Sequence, residues 1–184
     1  MVLFTGKGDD GTTTTFGCKQ RMSKSSVASE ALGTLDECNS FLGLCRSEEE
    51  ARALVLEGRS AAEILREVQD HLFTAQAELA GSPKTIPEES VKKMEVLIHA
   101  VEQELPPIKS FFVPGATRLG ALFDVARTIS RRAERRATAA HEDGRVLGEY
   151  TRAYLNRLSS LLYALARLAN HRAGKTEEPP MYRG

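Results

Sequence analysis

Residues 119–140 read LGALFDVARTISRRAERRATAA. Leu119, Leu122, Ala126, Ile129, Ala133, Ala137 and Ala140 recur at steps of three and four, which predicts one long helix with a single apolar stripe. Inside it, residues 124–136 carry Arg127, Arg131, Arg132, Arg135 and Arg136 around Glu134. At 3.6 residues per turn Arg127, Arg131 and Glu134 share a face roughly opposite the stripe, with Arg135 beside them. Two readings of that face stand at this point. It is a solvated surface laced with Arg/Glu pairs, or it is a polyanion site, since the guanidinium fork suits phosphate oxygens and does not titrate away.

Four more helices are predicted by the same rule. The first starts near Ser25 or Ser26 as N-cap and runs to about Arg46, with Val27, Ala31, Leu35, Cys38, Leu42 and Cys45 inward. A second spans about Glu48 to Leu79, with Gly58 as a bend or break and Gly81-Ser82-Pro83 as its stop. A third follows Pro87 and stops at Pro106-Pro107. The last runs from about Val146 to Arg172, with Tyr150, Tyr154, Leu158, Leu161, Leu165 and Leu168 buried. The expected fold class is all-α: an antiparallel five-helix bundle, residues 25–172, in a single domain over residues 1–184. Residues 1–24 are an extended Gly/Thr-rich loop with a short strand at either end, and 173–184 a flexible tail.

Composition narrows the function. Twenty-five basic and 25 acidic residues balance, so no global field exists to hold nucleic acid or an acidic membrane. An isolated basic run with few aromatics argues against a nucleic-acid-binding helix. No apolar run reaches about 18 residues and no secretory leader is visible, so no membrane span is expected and the location expected is cytoplasmic. Cys18, Cys38 and Cys45 have no CxxC spacing and read as idle thiols of a reducing compartment. The four histidines lack ligand spacing, so no protein-held metal is assigned. The N-terminal GKGDDGTT has the spacing of a P-loop between Gly6 and Gly11 but lacks the lysine that follows the second glycine. It remains an anion-binding nest or a flexible arm. In SFFVPG, Phe111 and Phe112 read as core packing or as ligand-facing aromatics, and Asn156 as a satisfied bundle residue or a ligand contact. No Ser/His/Asp or Cys/His set assembles, so a reaction here would draw its reactive group from a cofactor.

Four blocks, in order, resemble the PduO-type ATP:corrinoid adenosyltransferases. TGKGDDGTT is similar to the family's TKxGDxGxT, and EALGTLDECNSFLGL to EAxGTxDELNSxIG. SFFVPGATRLGALFDVARTISRRAERR is similar to FxxPGGT followed by ARTxxRRAER, and YLNRLSSLLYALAR to YLNRLSDxLF. They run from Thr5 to about Asn170. The resemblance implies transfer of the 5′-deoxyadenosyl group of ATP to the cobalt of a reduced corrinoid such as cob(I)alamin, with release of triphosphate and formation of adenosylcobalamin. It implies a homotrimer with ATP, and Mg²⁺ on its phosphates, between subunits. A corrinoid reductase and an adenosylcobalamin-dependent enzyme are the further partners it suggests. By motif it assigns ATP to Thr5, Gly6, Lys7, Gly8, Thr13, Thr14, Lys24, Arg131, Arg132, Glu134, Arg135 and Asn156. Arg131 is the catalytic cation, Arg127 pairs across the subunit boundary with Asp36, and Phe111 packs under the corrin ring and expels the lower axial ligand. The chain departs from the pattern at Gly6, where a basic residue is usual, and at Ala116 for the second glycine of PGGT. It departs again at Asp124 for a frequent histidine and Ser160 for an aspartate. A non-catalytic module that senses ATP or carries a corrinoid would use the same residues.

Overall fold

The computed structural model describes residues 3–15, 20–108 and 110–182, so Cys18 lies outside the described residues. These residues hold six helices and two short strand pairs. In order they are β1 (Thr12–Thr13), β2 (Met22–Ser23), α1 (Val27–Ser47), α2 (Glu49–Ala53), β3 (Val55–Leu56), β4 (Arg59–Ser60), α3 (Ala61–Leu79), α4 (Glu88–Glu104), α5 (Arg118–Glu142) and α6 (Glu149–Arg172). The expected count of five helices therefore becomes six, five of them 17 to 25 residues long.

Local chemistry explains the boundaries. Ser26 caps α1 by accepting the Ser29 N–H at 3.2 Å. Val27 is exposed, and the buried stripe begins at Ala28. The helix expected over 48–79 is broken around Gly58, the position read as its bend or break, and a hairpin stands between α2 and α3. Glu57 and Gly58 both take positive φ, 50° and 72°, and make the two-residue turn that pairs β3 with β4. Ser60 then starts α3 through a reciprocal capping box with Glu63. Pro87 precedes α4, as expected. Thr117 caps α5 by accepting the Gly120 N–H at 2.9 Å. α6 begins three residues later than expected and has no cap of its own, because Gly148 carries no side chain. The buried carboxylate of Glu78, on α3, serves instead: it accepts the Gly148 N–H at 2.7 Å and the Thr151 hydroxyl at 2.5 Å. Tyr150, expected inside, is exposed, and its hydroxyl donates to Glu88 at 3.2 Å.

α5 packs against both α6 and α1, α1 against α3, and α6 against α4. Phe123, Leu35, Leu72, Leu158 and Leu161 lie at the centre, each fully buried. His71 of α3 joins three helices: Ser90 of α4 lies 3.0 Å from one ring nitrogen and Tyr154 of α6 3.1 Å from the other. The tail expected to be flexible is held. Glu177 pairs with the buried Arg167 at 2.9 Å and accepts from Asn170, and the Glu178 carbonyl accepts the Val113 N–H at 2.9 Å.

Where α5 meets α6, Gly120 faces the Asn170 side chain. A Cβ on Gly120 would lie 2.2 Å from Asn170 Oδ1, which the Thr117 hydroxyl holds at 2.7 Å. Gly120→Ala should therefore destabilise the fold by about 1–3 kcal/mol, although alanine is the better helix former. Urea denaturation checks this. An unchanged midpoint would mean that Asn170 swings away at no cost.

Candidate active site

The arginines of α5 leave the helix in two directions. Arg132 pairs with Glu37 and Arg136 with Glu30, both across the α1 boundary. Arg127 donates through Nε to Asp124 at 3.3 Å and lies over the Tyr163 ring, 5.7 Å from its centroid. Arg131 and Arg135 have no acidic partner among the described residues.

Two cavities open beside them. One, of about 340 Å³, is lined by Arg131, Glu134, Arg135 and Asn156, with Thr138 and Glu142. Asn156 is fixed there: its amide donates to Glu134 at 2.8 Å, and its oxygen accepts from Arg157 at 2.6 Å, which also donates to Glu95. Four residues of the expected nucleotide set thus converge. Arg132 does not join them, since it turns to Glu37.

The other cavity, of about 740 Å³, has an aromatic wall of Phe111, Phe112 and Tyr163 and a polar wall of Asp124, Arg127 and Arg131. Arg131 lines both cavities. The two adjacent phenylalanines divide the roles open to them in the sequence. Phe111 is 80% exposed on the cavity side, whereas Phe112 is half-buried under the Arg167 guanidinium, 5.2 Å away. Arg167 also donates to the Pro106 carbonyl at 3.3 Å, so it and the tail fix the strand-like segment that carries Phe111. Asp124 is half-buried; desolvation pushes its carboxyl above the usual range, and the attraction of Arg127 offsets only part of that.

The N-terminal loop is organised by its own residues. Gly6 and Gly11 take positive φ. Lys24 donates through Nζ to the Gly8 carbonyl at 2.8 Å and through its backbone to Gly11 at 2.9 Å. Thr5 accepts the Lys7 N–H at 3.4 Å, Thr13 pairs with Met22, and Thr14 is exposed. Arg21, which the sequence did not single out, is the hub: it donates to the carbonyls of Lys7 and Thr12, to the Thr12 hydroxyl and to Asp10. Asp10 is held below the ordinary carboxylate range, first by its hydrogen bonds from Thr12 and then by Arg21. The one available signal for Arg21 was a lone guanidinium opposite a run rich in free carbonyls. Among the described residues, none from this loop lines either cavity beside Arg131. Asp36 is exposed on α1 and has no partner among the described residues. Among the described residues no three His, Cys, Asp or Glu side chains converge on a metal.

A family model for cobalamin adenosyltransferase matches residues 3–169. The chain is 38% identical over 183 residues to a corrinoid adenosyltransferase of Bacillus subtilis, covering 95% of this chain and 89% of that one. It is 37% identical over 180 residues to the corrinoid adenosyltransferase PduO of Citrobacter freundii, covering 94% of this chain and 51% of that longer protein. Among solved structures, a variant PduO-type ATP:corrinoid adenosyltransferase from Lactobacillus reuteri, complexed with cobalamin and ATP, matches with a TM-score of 0.86 at 30% identity. That match covers 97% of this chain and 96% of the other. The chain belongs to the cobalamin adenosyltransferase family.

Proposed function

We propose that this chain transfers the 5′-deoxyadenosyl group of ATP to the cobalt of a reduced corrinoid and releases triphosphate. The observation that carries the reading is the position of Arg131, which borders both the polar cavity and the aromatic one. The reaction needs that juxtaposition. Co(I) attacks C5′, a Co–C bond forms, the C5′–O bond breaks, and its electron pair goes to the triphosphate. The nucleophile comes with the substrate, so no Ser, Cys or His is required. What the protein must supply is a cation where negative charge grows, at the seam between the corrin and the polyphosphate. Arg131, free of any described acid and lining both cavities, is the cation we assign to that seam.

The remaining roles we propose are those the family resemblance implies. Glu134, Arg135 and Asn156 hold the nucleotide from α5 and α6. Thr5, Gly6, Lys7, Gly8, Thr13, Thr14 and Lys24 of a second copy close over it, in a homotrimer of bundles built from the five long helices. Arg132, engaged by Glu37, acts at the rim of that site. Arg127 of one copy meets Asp36 of the next. Phe111 presses on the lower face of the corrin and displaces the axial donor, which makes Co(II) easier to reduce. Mg²⁺, when bound, neutralises polyphosphate charge, and it is the phosphate oxygens rather than a protein cluster that hold it. We place the reaction in the cytoplasm, with a corrinoid reductase upstream and an adenosylcobalamin-dependent enzyme downstream. No described helix is long and apolar enough to cross a membrane.

Arg131→Ala should lower kcat by about 10²–10³-fold, the range for losing one preorganised charge donor, with the helical circular dichroism unchanged. Formation of alkylated cobalt from pre-reduced corrinoid, ATP and Mg²⁺ is the readout, and near-normal turnover would remove Arg131 from the mechanism. Phe111→Ala should slow the reaction that starts from Co(II) far more than the one that starts from Co(I); equal losses would sink the axial-ligand role. Reversing the charge at Asp36 should weaken the assembly in sedimentation, and reversing Arg127 as well should partly restore it. Absence of any recovery would count against the pair.

A further inference from the structure

We propose that the groove between α1, α2 and α3 is a second oxyanion site, for phosphate or a short polyphosphate, separate from the nucleotide site. The groove measures about 770 Å³ and shares no lining residue with the two cavities beside Arg131. It sits where α1 ends, the β3–β4 hairpin turns and α3 begins. Three guanidiniums line it: Arg46 from the last turn of α1, Arg52 from α2 and Arg66 from α3.

Two of these three guanidiniums have no acid partner among the described residues. The Arg46 and Arg52 guanidiniums make no hydrogen bond or ion pair with any described residue. Arg66 pairs with Asp70 at 2.7 Å in an exposed geometry that leaves it open to a second acceptor. The carboxylate on the lining, Glu63, is committed: its Oε2 accepts the Ser60 N–H and hydroxyl, both at 2.8 Å. Most described arginines of this electrically neutral chain do find an acid. Those that do not include Arg131 and Arg135, which face the nucleotide cavity, and Arg46 and Arg52, which face this groove. Arg145 and Arg152 are the remaining two, and they line none of these cavities. Unanswered arginines therefore gather in the two polar cavities.

A backbone donor points the same way. In the first turn of α3 the Ala61 N–H is taken by the Leu54 carbonyl at 2.7 Å and the Glu63 N–H by the Ser60 hydroxyl at 3.2 Å. The Ala62 N–H has no acceptor among the described residues, and Ala62 lines the groove. A free N–H at the head of a 19-residue helix beside forked cations is the donor set that phosphate oxygens take.

This inference does not rest on the adenosyl-transfer reading, and its test keeps the two apart. Inorganic triphosphate is titrated calorimetrically into the full chain, with and without saturating ATP. Two classes of site are expected, one displaced by ATP and one not. Arg131→Ala should spare the ATP-insensitive class. Arg46→Gln with Arg52→Gln should weaken it by about tenfold or more, with the unliganded melting temperature and sedimentation unchanged. If that double variant does not fold, Arg52→Gln at its exposed position should still weaken it severalfold. Inorganic phosphate is the second probe. Tighter binding of triphosphate assigns the groove to polyphosphate, and equal binding to a single phosphate group. A lone ATP-displaceable site, or an ATP-insensitive site that survives the arginine replacements, overturns the proposal.

Discussion

The close approach of α5 to two neighbours at once governs the rest of the molecule. Its buried positions are mostly small: Gly120, Ala126, Ser130, Ala133, Ala137 and Ala140, with Phe123, Leu119 and Ile129 as the larger fillers. Interaxial distance follows the side chains at the contact, so these positions let α1 and α6 close on either side. The close contact leaves no room inward for a guanidinium. Every arginine of the stretch is forced to the remaining arc, toward the rim of α1 or toward the open side of α6. The exposed pairs that result, Arg132 with Glu37 and Arg136 with Glu30, contribute a few tenths of a kcal/mol to about 1 kcal/mol each. Stability thus comes from the apolar stripe, and the outward charges are free for ligand work.

The two cavities beside α5 differ in the way the proposed chemistry requires. The larger has an aromatic wall and a half-buried Asp124 whose raised pKa marks a poorly solvated surface. The smaller is built from ions and amides already hydrogen-bonded to one another. A corrin ring and a polyphosphate ask for those two environments. Arg131 is common to both walls, so one helix turn sets a single cation at the border of the aromatic cavity and the polar one. The exposed Phe111 depends on a second fixture, Arg167, which clamps Phe112, Pro106 and the tail at Glu177.

Much of this was legible in the sequence, for identifiable reasons. Long stripes at three- and four-residue steps located the five long helices, because burial on one face leaves that period. Ser26, Pro87 and the stop before Asp143 were readable because caps and breakers act locally. The β3–β4 hairpin was not, since two-residue strands are too short to show alternation, and Glu57 is an unusual residue at positive φ. The Ser60–Glu63 capping box was the overlooked clue. Tyr150 looked buried because it falls on the stripe, yet in the first turn of α6 it is Thr151 that is buried, while Tyr150 stays exposed and its hydroxyl reaches Glu88. The tail looked free because Thr176–Pro180 is polar. Its anchors are the buried Arg167–Glu177 pair, the Asn170 amide on Glu177 and the Val113–Glu178 backbone bond, none of which composition registers. The four site blocks identified the family, but which guanidinium faces which acid depends on Glu30 and Glu37 of another helix.

Arg127 shows how intrachain contacts and a proposed assembly fit together. Asp124, standing where the family often has histidine, engages Arg127 through Nε, and the Tyr163 ring lies beneath the guanidinium. A guanidinium has five donors in a fixed plane, so a bond at Nε orients the plane and leaves the two Nη groups to another acceptor. Among the described residues those groups have none. Asp36 is exposed and equally without a partner, and the assembly proposed above brings it to that edge from a second copy. On this geometry the chain's own aspartate does not compete with Asp36 for Arg127. It holds the arginine still, which lowers the rotamer entropy lost when the second carboxylate arrives. The substitution that looked like a departure from the family pattern is then a way of preparing the same contact.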